Sequence, residues 1–336
     1  MTGAPAGAQA RTWEKGGRRG GERSMVPKAE FRSYYGRPVI KKPVWKWDIP
    51  AYFLTGGVMA GSSLLAAGAD LTGNRRLRRA ARLAAAANLG LSTYFLVHDL
   101  GRPERFLNML RVLKPTSPMS VGSWLLAAYG PPAGLAAVAE VSGRLPGVGR
   151  VAGLAAGAVA PAVASYTAVL TADTAVPSWH DAYRQLPFVF VGSAGAAAGG
   201  LSMAVVPPAD AGPARRLAVL GGVVDLAAVQ RMERSIGLSA GPYKEGRAGH
   251  LDRWARWLTA GGVVLGAALA RRSRLAAVAS GAALLAGSAC TRFAVFEAGM
   301  QSAADPRYTL VPQRERIGPG LPVRGWTLRP PGMTGP

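Results

Sequence analysis

The chain has 336 residues, with 40 Lys and Arg against 18 Asp and Glu, a formal net charge of +22. The basic residues sit in short clusters between long uncharged runs of Ala, Gly, Leu and Val. That distribution excludes most soluble globular classes, and it excludes a nucleic-acid binder, which would line one folded face with its basic residues. A single cysteine, Cys290, rules out an internal disulfide framework, a protein-held iron–sulfur cluster and a cysteine-based zinc site. Three histidines, His98, His180 and His250, supply a bis-histidine haem poorly. No haem or metal is therefore expected in this chain.

Residues 1–46 contain no apolar stretch behind the GGRRGG segment at 16–21, so they read as a basic disordered tail and not as a secretory signal. Eight apolar segments follow, at 50–69, 80–97, 121–139, 151–172, 186–206, 217–229, 254–270 and 275–295. Most approach the length of about 20 residues that crosses a bilayer as a helix; the sixth is short. Only helices or closed barrels satisfy their own backbone in hydrocarbon. The many small residues, as in GGVMAGSSLLAAGA and VGSAGAAAGG, suit close helix–helix approach. The predicted fold class is an all-α membrane protein with eight transmembrane helices over 47–300 and a polar, Pro/Gly-rich tail over 301–336.

An even number of spans puts both ends of the chain on one side. The tails and loops of that side carry more than twice the Lys and Arg of the other, although the short loops alone are balanced. The positive-inside rule then predicts that the terminal side is cytoplasmic. The terminal side also holds the complex loops, HDLGRPERFLNMLRVLKPTSPMSVGSW at 98–124 and DTAVPSWHDAYRQLP at 173–187; the opposite loops are simple basic turns.

At 1.5 Å of rise per residue, His98 lies roughly 24–29 Å along the second span and Tyr166 roughly 24 Å along the fourth. Asp48 and Tyr52 open the first span at the same level, and Trp124 opens the third. Five polar or aromatic side chains from four spans thus share one depth. They suit the rim of a pocket for an amphipathic ring with polar ends, such as a quinone, and equally the aromatic belt of any membrane interface. His98 and Asp99 either relay protons or cap the second span and pair with Arg102. Asp225 lies roughly 13 Å into the sixth span, where a carboxylate is costly unless protonated, paired or hydrated; a proton-path role and a neutral hydrogen-bonded carboxyl both fit. Arg292, about 27 Å along the last span, is expected to snorkel to the interface and not to pair with Asp225.

The 98–124 loop closely resembles the signature of the NrfD/polysulfide-reductase family of membrane subunits. WDIPAYFLTGGVMAGSSLLA, from Trp47, resembles that family's first helix, and YTAVLTADTAVPSWHDAYRQLPFVFVGSA, from Tyr166, its fourth and fifth helices with their connection. The resemblance spans about residues 40–300. It implies an eight-helix subunit of two four-helix bundles that binds a quinone, menaquinone or ubiquinone, at the end facing a 4Fe-4S ferredoxin-like partner. That partner connects to a catalytic subunit, often of the molybdopterin type. Tyr166 and Asp48 match the family's quinone-proximal positions, and His98 and Asp99 its His-Asp pair. A first-helix histidine of some relatives is replaced at about Ala51, beside Tyr52. Many relatives dock their iron–sulfur partner outside the cytoplasm, against the orientation read from charge.

The sequence thus predicts a quinone-reactive anchor subunit in the inner membrane. His98, Asp99 and Asp225 handle protons, and Asp48, Tyr52, Trp124 and Tyr166 surround the quinone. Arg102, Arg105 and Lys114 face the iron–sulfur partner. A proton-translocating or transporter-like subunit without quinone chemistry is the rival; its weak internal likeness, HDLGRPERF against HDAYRQLPF, does not establish a repeat.

Overall fold

The computed structural model describes residues 38–317 except residue 103. The expected disordered tail therefore lies, for residues 1–37, outside the described residues, as does 318–336 of the C-terminal tail. All regular structure among the described residues is helical. Eight helices there have twenty residues or more: α1 Asp48–Leu71, α2 Arg75–Asp99, α3 Pro118–Ser142, α4 Pro146–Ala172, α5 Leu186–Val205, α6 Gly212–Ser235, α7 Gly246–Ala268 and α8 Arg274–Ala304. Of these, α1, α2, α4, α5 and α8 are long and apolar enough to cross a membrane.

The helix starts follow from local chemistry. The side chains of Asn74, Ser117 and Ser273 accept the backbone N–H three residues on, and so cap α2, α3 and α8. Proline stands in the first turn of α3 to α6, where its missing N–H costs nothing. Gly143, at φ 65°, closes α3 in the left-handed conformation that only glycine adopts freely.

The sixth helix, Gly212–Ser235, is longer than its apolar segment. It runs 24 residues, because Arg215, Arg216, Arg231 and Glu233 interrupt the apolar run without interrupting the helix. The last helix likewise extends to Ala304, and the tail predicted from 301 carries a further helix, α9, at Arg307–Ile317.

α1 packs on α2 and α4, and α3 packs on both of those; α5 packs on α6 and α8, and α7 packs on both of those. The two sets meet chiefly where α1 lies against α5. There a Cβ on Gly61 would fall 2.6 Å from the Cβ of Ala198, so the close crossing needs glycine. With few large side chains available, hydroxyls tie the helices. The Tyr129 hydroxyl joins α3 to α1 through Ser63 Oγ at 2.7 Å and donates to the Met59 carbonyl at 2.9 Å. Ser92 donates to Thr55 at 2.8 Å, and Ser193 and Ser288 join α5 to α8 at 2.6 Å.

At the end away from the 98–124 loop, Arg82 bonds Asp70 at 2.5 Å and Glu140 at 2.9 Å, and Arg78 bonds the same two acids. Arg82 is buried, and the side chains of Asp70 and Glu140 are only 5% and 9% exposed, so the two charges of each sign neutralise one another with Arg78 at the edge. Arg292 corrects the sequence reading: it does not snorkel. It is fully buried, its Nη2 donates to the Phe190 carbonyl at 2.6 Å, and its guanidinium lies 3.9 Å from the Phe190 ring centre. Counting rise gives depth along the helix but not direction around it. Arg292 lies on the face turned toward α5.

Candidate functional site

The first residues of α1, the last of α2, the first turns of α3 and the last turns of α4 enclose a cleft with about 70 Å³ of free space. Its walls are mostly apolar: Trp45, Ile49, Phe53, Leu96, Leu126 and Leu170, with Met109 and Met119 from the connection before α3 and its first turn. Tyr52, Tyr166 and Asp99 are its polar members, with Ser123. No hydrogen bond to either phenol oxygen is found among the described residues, in contrast to Tyr129. The Ser123 hydroxyl is already used, donating to the Met119 carbonyl at 2.9 Å. Among the described residues the cleft therefore offers two O–H donors without partners and one carboxylate in an apolar slot.

Asp48 and His98 stand behind this cleft and do not line it. Asp48 is fully buried, and its Oδ1 lies 3.0 Å from Nδ1 of His98, whose side chain is 53% exposed. The other carboxylate oxygen, Oδ2, is buried without a partner. His98 stacks on Tyr94 at 5.7 Å and lines a shallow outer groove with Thr93, Val97, Gly90 and Gly101. The pair thus links an exposed imidazole to a buried carboxylate one turn before Tyr52.

Trp124 sits apart from the cleft on α3, partly exposed, its N–H donating to the Val112 carbonyl at 3.4 Å. It fastens the connection between α2 and α3. Arg102, Arg105 and Lys114 are exposed on that connection, beside the exposed apolar side chains Leu107, Val112 and Leu113. A short helix, Arg105–Asn108, and the bond from the Lys114 backbone N–H to Ser120 Oγ shape it.

Asp225 lies elsewhere, buried in α6 with Oδ1 unpartnered. The neighbouring interior holds the Arg292 Nε and Nη1 atoms and the Thr259 hydroxyl, also buried without partners. Asp225 and Arg292 form no ion pair within 4.0 Å among the described residues. Beyond them, toward the terminal side, Arg256 bonds Glu233 and, at 2.7 Å, Asp252. Among the described residues no group of three or more His, Cys, Asp or Glu is placed to hold a metal ion. His180 Nδ1 meets the Ala172 carbonyl and His250 meets Arg253.

Sequence reasoning missed Trp45, Met109, Met119 and Gly122 in the cleft. Trp45 had a signal, its place in VWKWD just before the first span; it stacks on buried Trp179 at 5.5 Å. The methionines and the glycine carried none.

A helical protein with a loop-capped cleft at one end of its first four helices has the plan of a multi-pass membrane subunit. The family model described as polysulphide reductase, NrfD matches residues 39–211, and the chain belongs to that family. The match covers α1 to α5 and ends just before α6. No curated protein matches the chain.

Proposed function

We propose that the chain is the quinone-reactive anchor of an oxidoreductase complex. In this reading all eight long helices span the cytoplasmic membrane as two four-helix bundles with both termini in the cytoplasm. The observation that carries the reading is the convergence of the Tyr52 and Tyr166 phenols and Asp99 on one apolar cleft in an NrfD-family chain. The donor set fits a ring with two carbonyl oxygens, and the cleft is small, with about 70 Å³ of free space. Met109 and Met119, unbranched and adaptable, are the walls that yield. A bound quinone, menaquinone or ubiquinone, supplies two-electron, two-proton chemistry there.

The chain's own residues bind, orient and move protons. Tyr166 and Tyr52 donate hydrogen bonds to the ring oxygens. Asp99 accepts or returns a proton at the cleft wall. His98 exchanges protons with the aqueous edge and passes them to Asp48, whose free oxygen faces the interior. Arg102, Arg105 and Lys114 hold an acidic rim of a 4Fe-4S ferredoxin-like subunit, with Leu107, Val112 and Leu113 as the apolar centre. Electrons pass between that subunit, itself joined to a molybdopterin-type catalytic subunit, and the cleft. Purified complex tests this: quinone should be reduced or quinol oxidised only when this chain is present, and electron transfer to a soluble dye should survive its removal. Quinone turnover without the chain contradicts the reading.

A second activity is favoured by Arg292 Nε and Nη1, Asp225 Oδ1 and the Thr259 hydroxyl, which are buried without partners. Groups of this kind in hydrocarbon call for water or a proton, and they suit proton movement through the second bundle.

A further inference from the structure

We propose that Gly122 is a positioning residue for the cleft: the side chain it lacks would occupy the space that holds the Tyr166 phenol. The inference rests on reading the cleft as the quinone site. Gly122 lies buried in the second turn of α3 and lines the cleft. A Cβ there would fall 1.7 Å from Cζ, 1.9 Å from the hydroxyl oxygen and 2.1 Å from Cε2 of Tyr166. All three nearest atoms belong to the phenol, and none to the α4 backbone. The glycine therefore seats a side chain and does not serve the approach of two helices.

The nature of the obstructing atom decides what a substitution does. At Gly281 a Cβ would fall 2.3 Å from the backbone oxygen of Gly200, and packed helices would have to separate. At Gly122 the obstacle is the far end of a side chain, which swings about its own rotatable bonds. Any residue with a Cβ at 122 consequently relocates the phenol and leaves the helices in place. The neighbouring Ser123 hydroxyl does not replace the displaced donor, because it is committed to the Met119 carbonyl.

The test uses purified complex carrying Gly122→Ala, Tyr166→Phe and the double variant. Affinity for a quinone-analogue inhibitor is measured by calorimetry, and 3-fluorotyrosine placed at position 166 reports the phenol's surroundings by fluorine NMR. Gly122→Ala should weaken inhibitor binding by about tenfold, the equivalent of one well-placed hydrogen bond, and should shift the fluorine resonance. Thermal stability should stay near wild type. In the Tyr166→Phe background the same substitution should add less than about twofold, because the two changes remove one contact. Unchanged binding or an unchanged resonance in Gly122→Ala overturns the proposal, and so do losses that multiply in the double variant. If Tyr166→Phe alone binds the inhibitor normally, the quinone reading of the cleft fails and this inference falls with it.

Discussion

Asp48 and His98 are fifty positions apart in sequence and 3.0 Å apart in the structure, Oδ1 to Nδ1. The contact joins the first residue of α1 to the last turn of α2, with the carboxylate buried and the imidazole half in solvent. A buried carboxylate with one unpartnered oxygen is expensive to hold for structure alone. The proposed relay role would account for that expense.

If the pair moves protons, His98→Gln and Asp48→Asn should each lower quinone-coupled turnover by about a hundredfold, the low end of general acid–base contributions. The double variant should be little worse than either, since both sit on one route. Steady-state turnover over a pH series checks this. Multiplying losses, or full activity in His98→Gln, would place the proton route elsewhere.

The exposed connection before α3 carries the docking prediction. Charge reversal at Arg102, Arg105 and Lys114 should detach the iron–sulfur partner from washed membranes, and the wild-type complex should loosen as salt rises, since exposed charges are screened within about 8 Å at physiological ionic strength. Co-purification at two salt concentrations reads both. A stoichiometric, salt-indifferent complex from the triple variant would exclude this surface.

Buried charges at the opposite end govern stability. Arg82→Met leaves Asp70 and Glu140 buried beside Arg78 alone, and breaking a buried pair in this way costs about 3–5 kcal/mol. Arg76, by contrast, pairs with Asp210 at 2.9 Å from an exposed position, and Arg76→Met should cost under about 1 kcal/mol. Thermal unfolding in detergent should separate the two variants clearly; equal melting temperatures would mean the network is hydrated and of little weight.

The helices were legible because apolar runs of the right length leave few alternatives in lipid. What escaped was direction. Arg78 and Arg82 read as a simple basic turn because their acids belong to other helices: Asp70 to α1, 8 and 12 residues away, and Glu140 to α3, 62 and 58 residues away. Arg292 reads as an interfacial cation and is instead buried, since rise per residue says nothing about which face meets Phe190. Asp48, Tyr52, His98 and Tyr166 were placed at one level, yet that level is divided between a cleft holding the two tyrosines and a pair behind its wall. Gly122 gave no signal at all, because a glycine's role here is fixed by a tyrosine from another helix.

For the second bundle, Asp225→Asn should keep quinone-coupled electron transfer near wild type and abolish proton movement in proteoliposomes. Pyranine fluorescence inside the vesicles, recorded with the electron-transfer rate, gives both numbers. Loss of electron transfer together with proton movement would tie Asp225 to the cleft; retention of both would make it a structural carboxyl.

The central claim is that the phenols of Tyr166 and Tyr52 hold the quinone. The most direct measurement is kcat/KM for quinol in purified complex bearing Tyr166→Phe or Tyr52→Phe, set against dye-linked activity of the same samples. Each change keeps the ring and deletes one donor, about 0.5–1.5 kcal/mol or somewhat more when an oxygen is left buried and unpaired. A loss of about three- to thirtyfold with quinol and none with dye is the predicted result. Wild-type quinol kinetics in both variants would contradict the account and move the site out of this cleft.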